Sequence, residues 1–250
     1  SNLSASVTTG ATFTDTGVIS GSGGLTKTGG GTLALTGNNT YAGPTNVTAG
    51  TLLANNTSGS ATGIGNVTVS AGATLGGNGT IGTTGGSTTV AGILSPGNVG
   101  VAGGIGKLTI GGNVTWQGAS GNGTSATDWI FDLASSGTGS DLLHINGDFL
   151  KDSTTFGNTF RFDFNGSNPT GTTFKLVEWT GSTTTFSASD FTYNTSSLGS
   201  SFTGSFSITG NQLNFNLSAV PEPSTWVAMA ALILTGGIIA IRRRRGQRSI

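Results

Sequence analysis

The sequence predicts an all-β chain in which stacked coils form a β-helix, or solenoid, followed by a single C-terminal transmembrane helix. Three observations lead to this prediction. Short apolar stretches return at a regular interval between turns rich in Gly and Asn. No segment before Thr225 has the apolar period of a helix. An uncharged stretch near the end of the chain then leads directly into a run of arginines.

The regular interval comes from one phrase that occurs three times in the first half. It reads VTAGTL, VSAGATL and VAGIL, beginning at Val47, Val69 and Val90. Each copy has a β-branched start, an Ala-Gly break and a leucine. The glycines of the three breaks are Gly50, Gly72 and Gly92. Their spacing of roughly 20 residues is that of a solenoid coil.

Within the coils, apolar residues alternate with polar ones, which is typical of strands with one buried face. Residues 33–35, 67–69 and 108–110 are clear examples. A single strand of this length cannot bury a core, so we expect Val47, Val69 and Val90 to stack in one column. Glycines would occupy the corners of the coils. A β-sandwich also has short strands and Gly-rich turns, and it is the alternative fold.

The composition excludes several classes of function. Charged residues make up 8% of the 250-residue chain, the formal net charge is zero, and cysteine is absent. Without cysteine there are no disulfides or thiolate metal sites, and without clustered cations in the bulk of the chain a nucleic-acid partner is excluded. Hydroxyl and amide groups must therefore face water, which favours an exported protein. Because the sequence starts at Ser1 without Met or an apolar leader, we interpret it as a mature form or a fragment.

Composition also divides the chain into three regions. Residues 1–124 are rich in Gly and Thr, and residues 23–56 carry the most regular repeat. Residues 125–219 hold 12 of the 13 phenylalanines, with eight acidic and three basic side chains. We expect this region to continue the β-helix with wider coils that also cap it, and a separate small sandwich is the alternative. Residues 220–245 form a C-terminal signal.

Candidate catalytic groups are few. His144 is the only histidine, and its setting, DLLHINGDF, contains no nucleophile motif, so we interpret it as a structural residue on the same face as Leu142. A polysaccharide-degrading β-helix would need clustered carboxylates near a basic group. The available residues are Asp128, Asp132, Asp141, Asp148, Lys151 and Arg161. Their spacing matches no calcium loop, so we predict no enzymatic activity, no metal site and no cofactor.

Polysaccharide binding is a further alternative. Three tryptophans of the second half bear on it: Trp116, Trp129 and Trp179. If they are exposed together on one face, they indicate a glycan-binding module. Buried tryptophans would instead leave a structural role.

Residues 23–56 resemble the autotransporter-associated β-strand repeat. The matching motifs are GGLTKTG at Gly23, GTLALTG at Gly31, NTY at Asn39 and VTAGTL at Val47. Two positions depart from the repeat, which commonly has Ala at the place of Gly30 and Gly at the place of Pro44. The resemblance implies a right-handed parallel β-helix displayed outside the inner membrane.

The tail accounts for the concentration of basic residues at the end of the chain. Residues 225–241 are about 17 uncharged residues, at the lower limit for a transmembrane helix. Four arginines follow directly: Arg242, Arg243, Arg244 and Arg245. Such a cluster stops the membrane segment and holds its end in the cytoplasm, so everything before Val220 would lie on the opposite side.

The hexapeptide VPEPST stands directly before the apolar residues. It consists of Val220, Pro221, Glu222, Pro223, Ser224 and Thr225. The two prolines prevent helix formation and predict an extended, accessible linker. A Pro-Glu-Pro motif, an apolar span and an arginine cluster, in this order, resemble the PEP-CTERM sorting signal. The resemblance implies processing by an exosortase, a membrane-embedded enzyme of Gram-negative bacteria that make exopolysaccharide.

These expectations describe an exported, non-enzymatic protein of the cell surface or extracellular matrix. It would exist first as a single-pass intermediate in the inner membrane and be processed by an exosortase. A structural or adhesive role in an exopolysaccharide matrix is the leading function, which makes exopolysaccharide an expected partner. The alternative is a β-helix protein that binds or degrades polysaccharide.

Overall fold

The computed structural model describes residues 1–97, 104–117, 127–134, 139–152, 160–166, 169, 172–184, 186–198 and 202–219. The predicted sorting motif, transmembrane helix and arginine cluster, residues 220–245, lie outside the described residues. Ser1–Ser218 form one compact unit. Within the described part of the chain, no element is a helix with the length and apolarity that crossing a bilayer requires.

The first four coils contain strands of two to four residues. The strands are β1 (Leu3–Ser6), β2 (Thr12–Asp15), β3 (Leu25–Thr28), β4 (Thr32–Leu35), β5 (Thr45–Val47), β6 (Thr51–Ala54), β7 (Val67–Val69), β8 (Thr74–Gly77) and β9 (Thr80–Ile81). The third side of the second and third coils, which the structure describes in full, has no strand. On this side, main-chain hydrogen bonds connect one coil to the next, such as the bond from Asn39 N to Ser60 O at 2.7 Å.

Among the later coils, the fifth to the seventh have a strand on each of three sides, and the eighth has a strand on two. They contain β10 (Ser87–Val90), β11 (Ile93–Pro96), β12 (Lys107–Ile110), β13 (Asn113–Trp116), β14 (Trp129–Leu133), β15 (Leu142–Ile145), β16 (Phe149–Lys151), β17 (Phe160–Gly166), β18 (Thr173–Trp179), β19 (Thr183–Thr184) and β20 (Phe191–Ser197). A 3-10 turn, Ala188–Asp190, precedes β20. Two longer strands, β21 (Phe202–Thr209) and β22 (Gln212–Ala219), follow the last coil.

Equivalent strands of successive coils stack into three sheets. Sheet A has the order β1-β3-β5-β7-β10-β13-β16-β19, and sheet B has the order β2-β4-β6-β8-β11-β14-β17-β20. Sheet C contains β9-β12-β15-β18 in parallel, and β22 then pairs antiparallel with β18. The prediction of an all-β parallel solenoid is confirmed for the described residues. Parallel stacking is incompatible with the β-sandwich alternative, whose sheets are antiparallel.

The predicted valine column is present in sheet A. Val47 pairs with Val69, and Val69 pairs with Val90, in parallel register. All three side chains are completely buried. The column continues with Lys27 before Val47 and with Trp116 after Val90.

Lys27 is a buried cation within this column, which the sequence pattern did not predict. Its ammonium group donates to Thr28 O (2.8 Å), Gly29 O (2.7 Å) and Ala49 O (3.1 Å). Burial lowers the pKa of Lys27. The three carbonyl groups belong to the corners of two adjacent coils, so the side chain holds these corners together. The available signal was the alternation in LTKT, residues 25–28, which places Lys27 on the same inward face as Leu25.

The three predicted corner glycines lie between sheets A and B. Gly50 has a φ of +66°, and a Cβ there would lie 2.4 Å from Gly31 O. Gly72 has a φ of +77°, although a Cβ there would meet open space. A Cβ at Gly92 would lie 2.3 Å from Ala73 O. Backbone conformation and close contact between coils therefore both select glycine at this corner.

Candidate functional site

His144 lies on the outer face of sheet C. The strand β15 alternates, so Leu143 and Ile145 enter the core while Leu142 and His144 point outward, as the sequence predicted. Nδ1 of His144 donates to Oε1 of Glu178 at 2.7 Å, and Nε2 lies 2.8 Å from Oδ1 of Asn146.

Glu178 connects His144 to a second cation. Lys175 Nζ lies 2.5 Å from Oε2 of Glu178. The hydrogen bond from Lys175 lowers the pKa of Glu178, and the bond from His144 adds to the effect. Both ring nitrogens of His144 are engaged by Glu178 and Asn146, so neither faces a hydroxyl group as a general base would. Sequence reasoning missed Glu178 because it lies 34 residues beyond His144, on the next coil.

Two of the candidate carboxylates, Asp132 and Asp141, meet at the corner between sheets B and C. Asp141 accepts from Gly106 N through Oδ1 and from Asp132 N through Oδ2, each at 2.8 Å. Asp132 accepts from Gly104 N at 3.0 Å. Burial raises the pKa of Asp141 to about 7, and the negative charge of Asp132 adds to the shift. The two side chains hold the segment that leads into β12.

Asp128 and Arg161 meet near the other end of β14, where β17 begins. Oδ2 of Asp128 accepts from Arg161 N at 2.7 Å, and Arg161 Nε donates to Oδ1 of Asp163 at 2.8 Å. Thr127 Oγ1 donates to Oδ2 of Asp163. Asp128 and Asp132 lie at opposite ends of β14, about 13 Å apart at roughly 3.3 Å per residue. Asp128 and Asp132 therefore belong to two separate clusters.

The remaining candidates connect successive coils. Lys151 Nζ forms an ion pair with Oδ1 of Asp190 at 3.0 Å, and both side chains are largely buried. Asp148 accepts from Ser182 N at 2.7 Å through Oδ1. Among the described residues, no group of three or more His, Asp or Glu is arranged to hold a metal ion.

The tryptophans lie inside the solenoid. Trp116 and Trp129 are fully buried, and Trp179 is 4% exposed. Trp116 stacks on Trp129 with ring centroids 4.2 Å apart, and Trp129 stacks on Phe162 at 4.9 Å. These three tryptophans therefore do not form the exposed aromatic face that would indicate a glycan-binding module.

A groove of about 320 Å³ crosses the third side of the solenoid, from the second coil to the sixth. The side chains along it are amides, hydroxyls and one isoleucine, including Asn38, Thr40, Ser60, Ile64, Thr84 and Asn146. None of the described residues that line it is ionisable. A larger concavity of about 680 Å³ is the apolar inner face of the first coil, and nothing in the structure shows what covers it.

Comparison with known proteins identifies one repeat. Residues 25–54, which form β3 to β6, match the family model described as a passenger-associated-transport-repeat. No curated protein sequence matches the chain. The match confirms the resemblance of residues 23–56 to an autotransporter-associated repeat. A repeat of this family in a parallel solenoid indicates a secreted or surface protein of the passenger type.

Proposed function

We propose that this chain is a non-enzymatic protein of the cell surface or extracellular matrix, with a structural or adhesive role in an exopolysaccharide matrix. The observation that carries the proposal is a stacked-coil core that contains the passenger-type repeat at residues 25–54. A solenoid presents a long, regular surface, as expected of a protein that spans or decorates a matrix. Its few charges support the same role, because amides and hydroxyls dominate the surface.

The proposed route uses the C-terminal signal, residues 220–245. The apolar residues 225–241 and the arginines Arg242–Arg245 would hold the chain as a single-pass intermediate in the inner membrane. An exosortase would then recognise Pro221, Glu222 and Pro223. The mature protein would leave the inner membrane for the surface or the matrix.

The test is replacement of Pro221, Glu222 and Pro223 by Ala in an exosortase-bearing host. Membrane insertion is expected to persist, because the apolar residues and arginines are unchanged, while processing stops and the full-length chain accumulates in the inner membrane. Replacement of Arg242–Arg245 by Ser is the contrasting variant and should disturb orientation. Extracellular protein that retains residues 226–250, or normal processing of the triple-Ala variant, would contradict the proposed route.

Degradation of polysaccharide is the second candidate, and the contact of Arg161 with Asp128 and Asp163 is the observation that favours it. Cleavage of an acidic polysaccharide would have to be abolished by Arg161→Ala or Asp141→Ala. The non-enzymatic proposal expects no cleavage by the unmodified protein. Both carboxylates of the Arg161 cluster also tie neighbouring elements together, which accounts for them without catalysis.

A further inference from the structure

We propose that the groove on the third side of the solenoid binds a neutral polysaccharide chain that runs along the solenoid axis. The inference rests on the adhesive role proposed above, and it adds the face of the molecule and the chemical class of the ligand. Three features support it: the direction of the groove, the polar groups that it presents and the uncharged character of its described lining.

The direction of the groove suits a polymer. Its lining residues come from five successive coils, beginning with Asn38 and ending with Asn146. Stacked strands are about 4.8 Å apart, so the groove extends over roughly 19 Å. It is an open groove to which each of the five coils contributes at least one residue. Such a surface offers a series of weak contacts to a linear chain, which adds avidity that a single sugar could not obtain.

Two amides are fixed at the ends of the groove. Asn38 accepts from Ser60 N at 3.2 Å through Oδ1, and its Nδ2 has no hydrogen-bond partner among the described residues. His144 engages one end of the Asn146 amide at 2.8 Å and leaves the other end for a ligand. Each amide is therefore held by one bond and keeps a further hydrogen-bonding group that no described residue uses. Because these groups are oriented before binding, little side-chain entropy is lost on contact with a ligand.

The middle of the groove combines hydroxyl groups with an apolar surface. Thr40 and Thr84 are exposed, and their hydroxyls both donate and accept, as sugar hydroxyls do. Ile64 is 53% exposed, one of the few large apolar side chains that the described residues leave in water. An apolar side chain among hydroxyls matches a sugar ring, which has a C–H face and a polar edge.

Neutrality of the groove selects a neutral ligand. A uronic-acid polymer would place carboxylates against Asn38, Thr84 and their neighbours, where the described lining offers no cation to compensate for lost hydration. His144, which contacts Asn146 at the end of the groove, is paired with Glu178, whose carboxylate accepts from both His144 and Lys175.

The experiment measures binding of the full-length chain to neutral and acidic polymers. The neutral probes are cellulose, curdlan and dextran, and the acidic probe is alginate. We expect binding to at least one neutral polymer and none to alginate. Thr84→Arg should block the groove and weaken binding about tenfold or more, the equivalent of about 1.4 kcal/mol. Thr68→Arg adds the same charge on the exposed outer face of sheet A and should change nothing.

A second variant removes the donor without adding bulk. Asn38→Asp keeps the oxygen that accepts from Ser60 N and replaces the outward amide nitrogen with a carboxylate oxygen, so binding should fall while the melting temperature stays unchanged. No binding to any neutral polymer, or equal binding by Thr84→Arg and Thr68→Arg, would overturn the proposal. Processing of the tail and retention in the matrix, scored separately in the host, report on the proposed function itself.

Discussion

Equivalent strands of successive coils stay paired through both halves of the solenoid, but the two halves have different interiors. In the first half, side-chain hydrogen bonds between adjacent coils join residues 20 to 24 positions apart. In the second half, the corresponding separations are 28 to 36, and most are 33 or more. The core changes from valine and leucine side chains to stacked aromatic rings. In sheet B this change occurs where Leu94 pairs with Trp129. Coil length and core volume therefore increase together while the strands stay aligned.

The polar contacts between coils change in the same way. In the first half, asparagine oxygens accept from the next coil, as Asn66 accepts from Ser87 N and Asn56 from Thr80 N. In the second half, carboxylates take this position, as in the bond from Ser182 N to Asp148. The acidic residues of residues 125–219 thus replace amides in a structural role. This replacement explains why acidic residues accumulate there without forming one catalytic cluster.

The aromatic core of the second half should give the greatest loss of stability. Trp129 and Leu75 occupy the same column of sheet B, on either side of Leu94, and both are fully buried. Trp129→Ala should lower the free energy of unfolding by about 3–5 kcal/mol, at the upper end of the roughly 2–5 kcal/mol expected for Leu75→Ala. Urea denaturation measures both. A loss under about 1 kcal/mol for Trp129→Ala would show that the wide coils are not tightly packed.

Trp129→Phe is the matched control. Within the described residues, the indole N–H of Trp129 has no acceptor. The phenyl ring keeps most of the stacking on Trp116 and removes this unpaired donor, so the loss should be much smaller than for Ala.

The next largest expected effect is a pH dependence of the free energy of unfolding, which arises from Asp141 in the second half of the solenoid. The pKa of Asp141 is about 7 in the folded chain, above its ordinary value of 3.8. Between about pH 4 and pH 7 the folded chain retains a proton that the unfolded chain has released, so the free energy of unfolding falls as pH rises. This one group contributes a fall of up to about 4 kcal/mol.

Asp141→Asn should remove that part of the slope. Urea denaturation of the unmodified protein and of the variant at several pH values gives the free energy of unfolding of each. The result to compare is how this free energy changes with pH in the two proteins. An identical pH dependence in the two chains would contradict a raised pKa at Asp141.

Two corner glycines, Gly50 and Gly72, test how closely the coils pack in the first half of the solenoid. Gly50→Ala combines left-handed backbone with a close approach to Gly31 O, whereas Gly72→Ala has only the backbone strain. We expect a loss of about 1–2 kcal/mol for Gly72→Ala and about 2–4 kcal/mol for Gly50→Ala. Thermal melting of the two variants gives the order. Equal losses would mean that the contact between coils at Gly50 relaxes freely.

The outer face of sheet C should respond least. His144→Gln should change the free energy of unfolding by less than about 1 kcal/mol, because the His144–Glu178 pair is partly exposed. Denaturation at neutral pH checks this value. A loss as large as that of Trp129→Ala would mean that the ion pair, and not the aromatic core, holds the wide coils together.

The sequence predicted the core positions of the first half better than those of the second half, and the reason is physical. The repeated phrase around Val47, Val69 and Val90 set their spacing and therefore their column. The wide coils lack such a phrase, so no spacing linked His144 to Glu178, and alternation alone could not decide whether Trp129 faces water. Lys27 was missed for a different reason: a charged side chain at an inward position is rare unless carbonyl groups surround it, and those carbonyls come from the fold.

An engineered disulfide tests most directly whether one solenoid continues in register as its coils widen. Thr89 and Thr115 are partners on adjacent strands at the start of the widening. Their Cα atoms should lie about 4.8 Å apart, within the disulfide range of about 4.4–6.8 Å. The chain has no cysteine, so Thr89→Cys with Thr115→Cys has no competing thiol.

Thr68→Cys with Thr115→Cys is the control, because Thr68 lies one coil further away, at about 10 Å from Thr115. Mild oxidation followed by mass spectrometry of the intact chain and its peptides detects the bond. A continuous register predicts a disulfide between positions 89 and 115 and none between positions 68 and 115. Oxidation that links 68 to 115 as readily, or that leaves 89 and 115 unlinked, would contradict it.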